Sequence, residues 1–363
     1  MKSKILITTT ISSFFLLPSA FGQGALTPPG VPAPTMKSLA QIEPRTPISS
    51  APIVIAASGS YYLTTNLSVT TGNAITVFIS NVTLDLNGFT IASTAASATG
   101  YAIQLGAVTN VAIYNGHISG GVTNSAAGVF GGGGFADGIY YSGNPSYNVR
   151  VKDVSVAGVL SSGIYLGSGN SSVVESCTVN IAGGYGIYAD SVSDSTAMNC
   201  GNYGIHAGMA HNCTGYAIGN ADGLYATTAD NCCGICSGFG TGLYGDAVAT
   251  GCYGSSSYGV GLFANTAYNC FGSGFNGVIA NNIANSCYGS GSGGGDGVNA
   301  VIANNCVGQS SGSGHGIYAG GVATDCVSYS SSGIGLSAVI ASACHATTST
   351  GTAFSVTHNV NSF

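Results

Sequence analysis

The sequence contains no tryptophan and very little charge. Of its 363 residues, 6 are Lys or Arg and 12 are Asp or Glu, and Lys152 is the last basic residue. Binding to nucleic acid or to an acidic membrane surface is therefore disfavoured, because contacts with phosphates need basic side chains. The surface must instead be built from Ser, Thr, Asn, Gly and Tyr, which suits neutral partners such as glycans better than ions.

Features that favour an α-helix are also scarce. Glycine accounts for 58 residues, and a glycine within a helix costs about 1 kcal/mol relative to alanine. Proline is concentrated in one stretch, with seven of the nine prolines between positions 23 and 52. Much of the remaining chain alternates apolar and polar positions between glycines, a pattern that predicts short strands joined by tight turns.

A short period organises the second half of the chain. Nine times an alanine lies three residues before a cysteine, and successive cysteines are 13, 19, 20, 18, 17, 19, 20 and 18 residues apart. A unit of this length cannot bury its own core, so each must be one coil of a solenoid that stacks on its neighbours. The pairs are Ala197/Cys200, Ala210/Cys213, Ala229/Cys232, Ala249/Cys252, Ala267/Cys270, Ala284/Cys287, Ala303/Cys306, Ala323/Cys326 and Ala341/Cys344.

Both repeated residues are predicted to point into the core. Ile113, Val151 and Val174 align with the alanine position in earlier coils, so alanine and cysteine replace aliphatic side chains. The residue before the cysteine, often asparagine, is predicted to form a corner where side chains bond from coil to coil. Stacked cysteines have parallel Cβ vectors, which favours reduced thiols over disulfides. A local disulfide or a zinc site within the segment 232–236, CCGIC, remains open.

Four segments are predicted along the chain. Residues 1–22 have a basic start, an apolar run and a small-x-small end, as in a secretory signal peptide. Residues 23–52 are predicted as a Pro-rich linker or arm, residues 53–350 as a parallel β-helix and residues 351–363 as a C-terminal tail. No further apolar segment has membrane length, so we expect an exported protein, outside the cell or at its surface.

Aromatic residues recur just after the Gly-aliphatic pair of many coils. If the aliphatic side chain points inward, these rings point outward and form a stripe along the solenoid. Such a stripe is a candidate platform for sugar rings, although stacked tyrosines can also simply cover and stabilise a sheet. The candidate ligand-binding residues are Tyr140, Tyr165, Tyr188, His206, Tyr225, Tyr244 and Tyr318.

One group of side chains has the types that catalysis needs. Glycosidases use two acids that face each other across a cleft, and eliminating lyases use a base together with a cation that neutralises a carboxylate. The alternative interpretation is a solvated charged patch. The candidate catalytic residues are His117, Arg150, Lys152, Asp153 and Glu175.

Three Asp-Gly pairs have the composition of turns. They begin at Asp137, Asp222 and Asp296, and an aspartate can cap the bend that its glycine permits. Calcium bound between coils is the alternative, but the pairs lie in coils that are not adjacent. We therefore predict no metal site and no cofactor, with Ca²⁺ as the open possibility.

Three segments of the first half resemble a known family. NVTLDLNGFTI, NVAIYNGHISGG and NVRVKDVSVAG, together with the Gly-Ile-Tyr coils, resemble repeats of the pectin-lyase-like superfamily over about residues 53–350. The resemblance implies an all-β, single-stranded right-handed parallel β-helix with coils of about 17–23 residues. It also implies an association with carbohydrate. It implies no catalytic residue, because the hydrolase signatures are absent apart from the fragment Gly116-His117-Ile118.

These patterns lead to two functional hypotheses. The first is a secreted, non-catalytic β-helix with a structural, adhesive or glycan-contacting role, whose partners are polysaccharides or other cell-surface components. The alternative is a polysaccharide-active enzyme of the same superfamily, either a lyase or a glycoside hydrolase.

Overall fold

The chain winds into a stack of short parallel strands. A computed structural model describes residues 44–125, 128–141 and 147–363. Residues 45–363 form a parallel β-solenoid of about 16 coils, with equivalent strands about 19 residues apart, which confirms the predicted all-β parallel β-helix. The predicted signal peptide, residues 1–22, and positions 23–43 of the predicted arm lie outside the described residues.

The described residues form 35 strands and no helix. Consequently, this part of the chain contains no helix that is long and apolar enough to cross a membrane. The first strands are β1 (Thr46–Ile48), β2 (Ile53–Ile55), β3 (Gly59–Leu63), β4 (Leu67–Val69), β5 (Ile75–Val77), β6 (Val82–Asp85), β7 (Thr90–Ser93), β8 (Tyr101–Leu105), β9 (Thr109–Ser119), β10 (Gly121–Asn124), β11 (Phe130–Gly133) and β12 (Asp137–Tyr141). The middle strands are β13 (Tyr147–Val159), β14 (Ile164–Tyr165), β15 (Val173–Glu175), β16 (Thr178–Ala182), β17 (Ile187–Ser193), β18 (Thr196–Cys200), β19 (Ile205–His211), β20 (Thr214–Ala217), β21 (Leu224–Asp230), β22 (Cys233–Cys236), β23 (Leu243–Thr250) and β24 (Tyr253–Ser256). The last strands are β25 (Val260–Tyr268), β26 (Phe271–Gly274), β27 (Asn276–Asn285), β28 (Tyr288–Gly291), β29 (Val298–Asn304), β30 (Val307–Ser310), β31 (Ile317–Thr324), β32 (Val327–Ser330), β33 (Ile334–Ser342), β34 (His345–Thr348) and β35 (Thr352–Val360).

Each coil pairs with the next through parallel ladders. The aliphatic residues of the Gly-aliphatic pairs form one inward column, in which Ile139 pairs with Ile164 and Ile164 pairs with Ile187. All three side chains are fully buried. The inward direction predicted for this position is therefore confirmed.

The alanines stack as one column, which we call the alanine file. It runs from Ala210 through Ala229, Ala249, Ala267, Ala284, Ala303 and Ala323 to Ala341 in unbroken register. Ile113, Val151 and Val174 lead into the same column through Val192, as the sequence alignment predicts. All of these side chains are buried, so the predicted internal column is confirmed.

The first of the nine pairs does not belong to this column, and its assignment from sequence is wrong. Ala197 pairs with Val179 and Gly215 on a different sheet of the solenoid. Val192 occupies the alanine position of that coil. Ser195 occupies the cysteine position, because Thr196 N–H donates to the Cys177 carbonyl at 2.9 Å and Thr214 N–H donates to the Ser195 carbonyl at 3.0 Å. The spacing of only 13 residues between Cys200 and Cys213 arises because these two cysteines lie at different corners of the solenoid.

The corner before the cysteine is a left-handed turn in successive coils. Asn115, Asp153, Asn212 and Asn305 have φ values of 64°, 52°, 51° and 49°. Asn and Asp are the non-glycine residues that adopt this conformation most readily, because their short polar side chains bond locally. The predicted bonds between coils are present at Asn212 and Asn305. The Asn212 amide donates to Asp194 Oδ1 at 3.1 Å, and the Asn305 amide donates to Ser286 Oγ at 3.1 Å.

The cysteines after this corner form a second internal column. All twelve cysteines are free, and eleven are buried, which agrees with the predicted ladder of reduced thiols. The backbone supports the register, since Phe271 N–H donates to the Cys252 carbonyl at 2.9 Å and Tyr288 N–H donates to the Cys270 carbonyl at 2.8 Å. We call the uninterrupted run of eight the thiol file: Cys213, Cys232, Cys252, Cys270, Cys287, Cys306, Cys326 and Cys344.

Strand pairing extends beyond the predicted limits, 53 and 350, of the β-helix. At one end β1 pairs with β3, and Ile48 is 1% exposed. At the other end β35 pairs with β33, and Phe354 packs against the core. Alternating apolar side chains at both ends continue the inward columns, which is why these segments join the solenoid.

Candidate functional site

Six of the seven predicted aromatic positions form one continuous row on the outside of the solenoid. Neighbouring ring centroids lie 4.5 to 5.2 Å apart, one ring per coil, and Phe263 extends the row at 4.6 Å from Tyr244. The in-register strand pairing places these residues one above another. We call this row the aromatic ridge: Tyr140, Tyr165, Tyr188, His206, Tyr225, Tyr244 and Phe263.

Tyr318 occupies the same column but does not join the ridge. Ile279 and Asn299 fill this position in the two intervening coils, so the row is interrupted after Phe263. Tyr318 is 40% exposed, and its ring lies 5.2 Å from His315. The predicted stripe therefore divides into six residues of the ridge, which Phe263 extends, and one separate tyrosine.

A second row of tyrosines, which was not predicted, flanks the ridge. Tyr185 stacks on Tyr203 at 5.5 Å, and Tyr185 also lies 5.2 Å from Tyr188. Both Tyr185 and Tyr203 stand directly before the Gly-aliphatic pair of their coils. That placement is the sequence signal that could have identified them.

The rings of the ridge stack on one another or meet edge to face along the column. Because adjacent rings cover one another, each ridge residue is only partly exposed. Burial raises the pKa of Tyr165 to about 12, with smaller contributions from neighbouring tyrosines, so its hydroxyl remains protonated at neutral pH. Burial also lowers the pKa of His206, whose Nδ1 is buried without a hydrogen-bond partner. The ridge is therefore an uncharged surface of hydrogen-bonding groups.

Three of the five candidate catalytic residues line one groove. Arg150, Lys152 and Glu175 lie beside Tyr114 in a groove of about 330 Å³. Lys152 Nζ forms an ion pair with Glu175 Oε1 at 2.7 Å, and this bond raises the pKa of Lys152. Arg150 is exposed and has no ion pair with any acidic side chain of the described residues.

The other two candidates do not line this groove. His117 lies beyond the left-handed corner at Asn115, on the next ladder, where its Nδ1 is 2.6 Å from Ser155 Oγ. Asp153 is itself the left-handed corner residue of its coil. The turn therefore separates His117 from Arg150, although the two positions are close in the stack. The groove could bind an anion, but it lacks the two facing acids that a glycosidase uses.

The three Asp-Gly pairs act as clamps between successive coils. Asp137 Oδ1 accepts a hydrogen bond from Ser162 N–H at 2.7 Å, and Asp222 Oδ1 accepts one from Thr241 N–H at 2.7 Å. Asp296 Oδ1 accepts from His315 N–H at 2.9 Å. Each aspartate thus ties its segment to the equivalent segment one coil later. The predicted role of the glycines is wrong, because Gly138, Gly223 and Gly297 do not have a positive φ. Within residues 44–125, 128–141 and 147–363, no group of three or more His, Cys, Asp or Glu could hold a metal ion.

A second groove, also missed by the sequence reasoning, follows the thiol file. Tyr253, Phe271 and Tyr288 stack almost parallel along one side, with centroids 5.1 and 5.0 Å apart. The groove has a volume of about 610 Å³, and Cys252, Cys270 and Cys287 line it. We call it the corner groove. These three aromatic residues directly follow the cysteines of their coils, and this is the pattern that indicates their position.

Comparison with known proteins gives no relative. No protein-family model matches this sequence, and no curated protein or solved structure matches it.

Proposed function

We propose that this protein is an exported, non-catalytic β-solenoid that contacts neutral glycans outside the cell or at its surface. The observation that carries the proposal is the aromatic ridge, which presents tyrosine groups at the spacing of the coils, about 4.8 Å. A polymer with hydroxyl groups along its length can form hydrogen bonds with such a row at many points. The ridge carries no ionic side chain, so it suits a neutral polymer.

The state of two acidic side chains, Glu175 and Asp190, supports a role without catalysis. Glu175 is paired with Lys152, and the Asp190 carboxylate accepts hydrogen bonds from the backbone N–H groups of Asn170 and Ser172 at 2.8 and 2.9 Å. Although burial opposes ionisation of Asp190, these hydrogen bonds lower its pKa. Such carboxylates stabilise the coil and are poorly suited to donate a proton to a glycosidic oxygen.

A glycan array with the purified protein tests the proposal. We expect binding to neutral polysaccharides that persists at high salt. Replacing two ridge residues together, Tyr165→Phe and Tyr225→Phe, keeps both rings and removes two hydroxyls. The loss of two hydrogen bonds should weaken binding about tenfold. Tyr318→Phe, outside the ridge, is the matched control and should leave affinity unchanged. The proposal fails if no neutral glycan binds, or if all three hydroxyls prove dispensable.

The second candidate function is a polysaccharide-active enzyme of the pectin-lyase-like superfamily. The unpaired Arg150 in the groove with Lys152 and Glu175 favours it, because a guanidinium there could neutralise the carboxylate of an acidic sugar. Assays for new reducing ends and for unsaturated uronates would detect the two reactions. Cleavage that Arg150→Ala or Asp153→Ala abolishes would replace the first proposal with this one.

A further inference from the structure

Two aromatic side chains outside the ridge project into solvent. Phe239 lies between β22 and β23, and Tyr258 lies between β24 and β25. They occupy successive coils, because Tyr258 N–H donates to the Gly238 carbonyl at 3.2 Å. Their ring centroids are 5.2 Å apart, and the ring planes are inclined by 32°. We call Phe239 and Tyr258 the exposed aromatic pair.

The two rings of the pair are open to solvent. Phe239 is 71% exposed and Tyr258 is 62% exposed. A ring with both faces covered could not leave most of its residue exposed, so each ring has a face that is free to contact another molecule. The ridge residues differ, since each is only partly exposed between its neighbours.

The chain covers the same side of the solenoid on earlier coils and leaves it open at the pair. Phe130 of β11 packs against the backbone of Gly201. Gly201 stacks on Gly219, and Gly219 stacks on Gly238, the residue before Phe239. The pair therefore lies two coils beyond the position that Phe130 covers, and within the described residues no hairpin covers it. A molecule that stacks on these rings must come from outside the chain.

We propose that the exposed aromatic pair binds one sugar ring of a neutral glycan by stacking on its face of C–H bonds. An aromatic ring has an apolar, electron-rich face, which suits the weakly positive C–H groups on one side of a pyranose. The choice of a glycan rests on the proposed function, but the site is separate from the ridge and uses ring faces in place of hydroxyl groups.

The surroundings of the pair are polar and carry no charge. Residues 237–241 and 257–261 include no Asp, Glu, Lys, Arg or His. Asn220 Oδ1 accepts a hydrogen bond from Phe239 N–H at 3.2 Å. Its Nδ2 donates to no group of the described residues, and Asn220 is exposed, so this amide can donate to a sugar hydroxyl. A charged ligand would find no counter-charge beside the rings, whereas a neutral sugar needs none.

The size of the pair fits a sugar ring better than a protein partner. One aromatic side chain buries about 150–250 Å², so two supply at most about 500 Å². A stable protein interface buries about 800 Å² on each partner. The pair alone is therefore too small to hold a second copy of the chain.

Three variants separate stacking from other contacts. Replacing both rings, Phe239→Ala with Tyr258→Ala, should weaken sugar binding at least about tenfold, because each aromatic contact contributes about 0.5–1.5 kcal/mol. Tyr258→Phe keeps the ring and should bind almost as well as the parent. Phe78→Ala is the matched control, since Phe78 is 60% exposed on a distant coil. All these side chains are largely exposed, so we expect every variant to fold, and circular dichroism checks this.

The experiment is saturation-transfer NMR on the full chain with the methyl glycosides of glucose, galactose, mannose and N-acetylglucosamine. A single sugar ring suffices for stacking, whereas the ridge needs a polymer that it contacts at many points. We expect transfer from the parent to the C–H groups on one face of at least one glycoside. Transfer should persist in Tyr258→Phe, in Phe78→Ala and in the double ridge variant Tyr165→Phe with Tyr225→Phe, and it should be lost when both rings of the pair are replaced.

The two proposals can fail separately. A polysaccharide that binds in the glycan array, with no transfer to any glycoside, would leave the ridge proposal standing and overturn this one. Transfer to a glycoside without polymer binding would support the pair and count against the ridge. Transfer that survives replacement of both rings, or that Phe78→Ala abolishes equally, would also overturn the proposal. So would self-association of the parent that disappears when the two rings are replaced, because a second copy would then cover the pair.

Discussion

Asparagine before the inward cysteine has a role that few residues can fill. The corner requires a positive φ, and the same position is Asn, Asp, Ser or Gly in most coils. Asparagine can adopt that conformation and also bond to the neighbouring coil, as Asn305 does to Ser286 Oγ. Glycine provides only the conformation, as at Gly251 with a φ of 62°. Valine provides neither, because its branched Cβ clashes in the left-handed region.

At Asn305 these differences can be measured. Asn305→Val should lower the free energy of unfolding by about 2 kcal/mol, since a non-glycine residue strained in this region costs about 1–3 kcal/mol. Asn305→Gly should cost about 1 kcal/mol or less, because only the hydrogen bond and some chain entropy are lost. Urea denaturation followed by circular dichroism checks both values. A glycine variant as unstable as the valine variant would contradict the role given to φ.

At the scale of the strand, six successive coils share an inward glycine on the short strand that follows the cysteine. The backbone of one strand there approaches the backbone of the next element so closely that no side chain fits. A Cβ on Gly272 would lie 2.1 Å from the carbonyl oxygen of Gly277. The glycines that stack in this column are Gly215, Gly234, Gly254, Gly272, Gly289 and Gly308.

Gly272→Ala should therefore destabilise the solenoid by about 3 kcal/mol, because the clash is with backbone that cannot move without disturbing the next coil. Gly320→Ala is the control, since the nearest atom to its Cβ would be 3.9 Å away and its φ is not positive. Thermal unfolding of the two variants, followed side by side, measures the difference. Equal melting temperatures would show that the two backbones can separate at little cost.

Strand patterns predicted the coil, but they could not assign every residue to the correct corner. The sequences Ala197-Met-Asn-Cys200 and Ala210-His-Asn-Cys213 are alike, and both asparagines have positive φ. Two corners of the solenoid thus use the same local chemistry, an inward small residue, a left-handed asparagine and an inward thiol. In the sequence, only the spacing of 13 residues between Cys200 and Cys213 shows that the two motifs belong to different corners.

The candidate sites, too, could be predicted only in part from the sequence. The ridge was predictable, because one outward position per coil repeats in register. Its interruption before Tyr318 depends on Ile279 and Asn299, which follow the same Gly-aliphatic pattern and carry no aromatic ring. Sequence positions alone could not show whether the charged group converges, because a corner of the coil lies among its residues. The left-handed residues Asn115 and Asp153 redirect the chain and separate His117 from Arg150.

For the whole molecule, stability comes from ladders and burial, with little contribution from ions. The ion pairs between Lys or Arg and acids are Arg45–Asp85 at 2.9 Å and Lys152–Glu175 at 2.7 Å within the described residues. Exposed pairs such as the second contribute about 0–1 kcal/mol each. The repulsion among the remaining acidic groups is also spread over many coils and is screened within about 10 Å at 0.1 M salt.

Raising the NaCl concentration from about 0.05 to 1 M should consequently change the free energy of unfolding by less than about 1 kcal/mol. Loss of the two ion pairs and relief of acidic repulsion act in opposite directions, so their net effect is small. Urea unfolding curves at the two salt concentrations provide the measurement. A midpoint that moves strongly with salt would reveal an electrostatic contribution that the described contacts do not account for.

Within the described residues each coil pairs only with the coil before and the coil after it, so the number of coils is not fixed by any contact between the first and the last. Exchange between gene segments that encode similar coils could add or remove a whole turn without disturbing the others. The number of coils could then change during evolution by whole coils, while the surface of each remaining coil stayed the same.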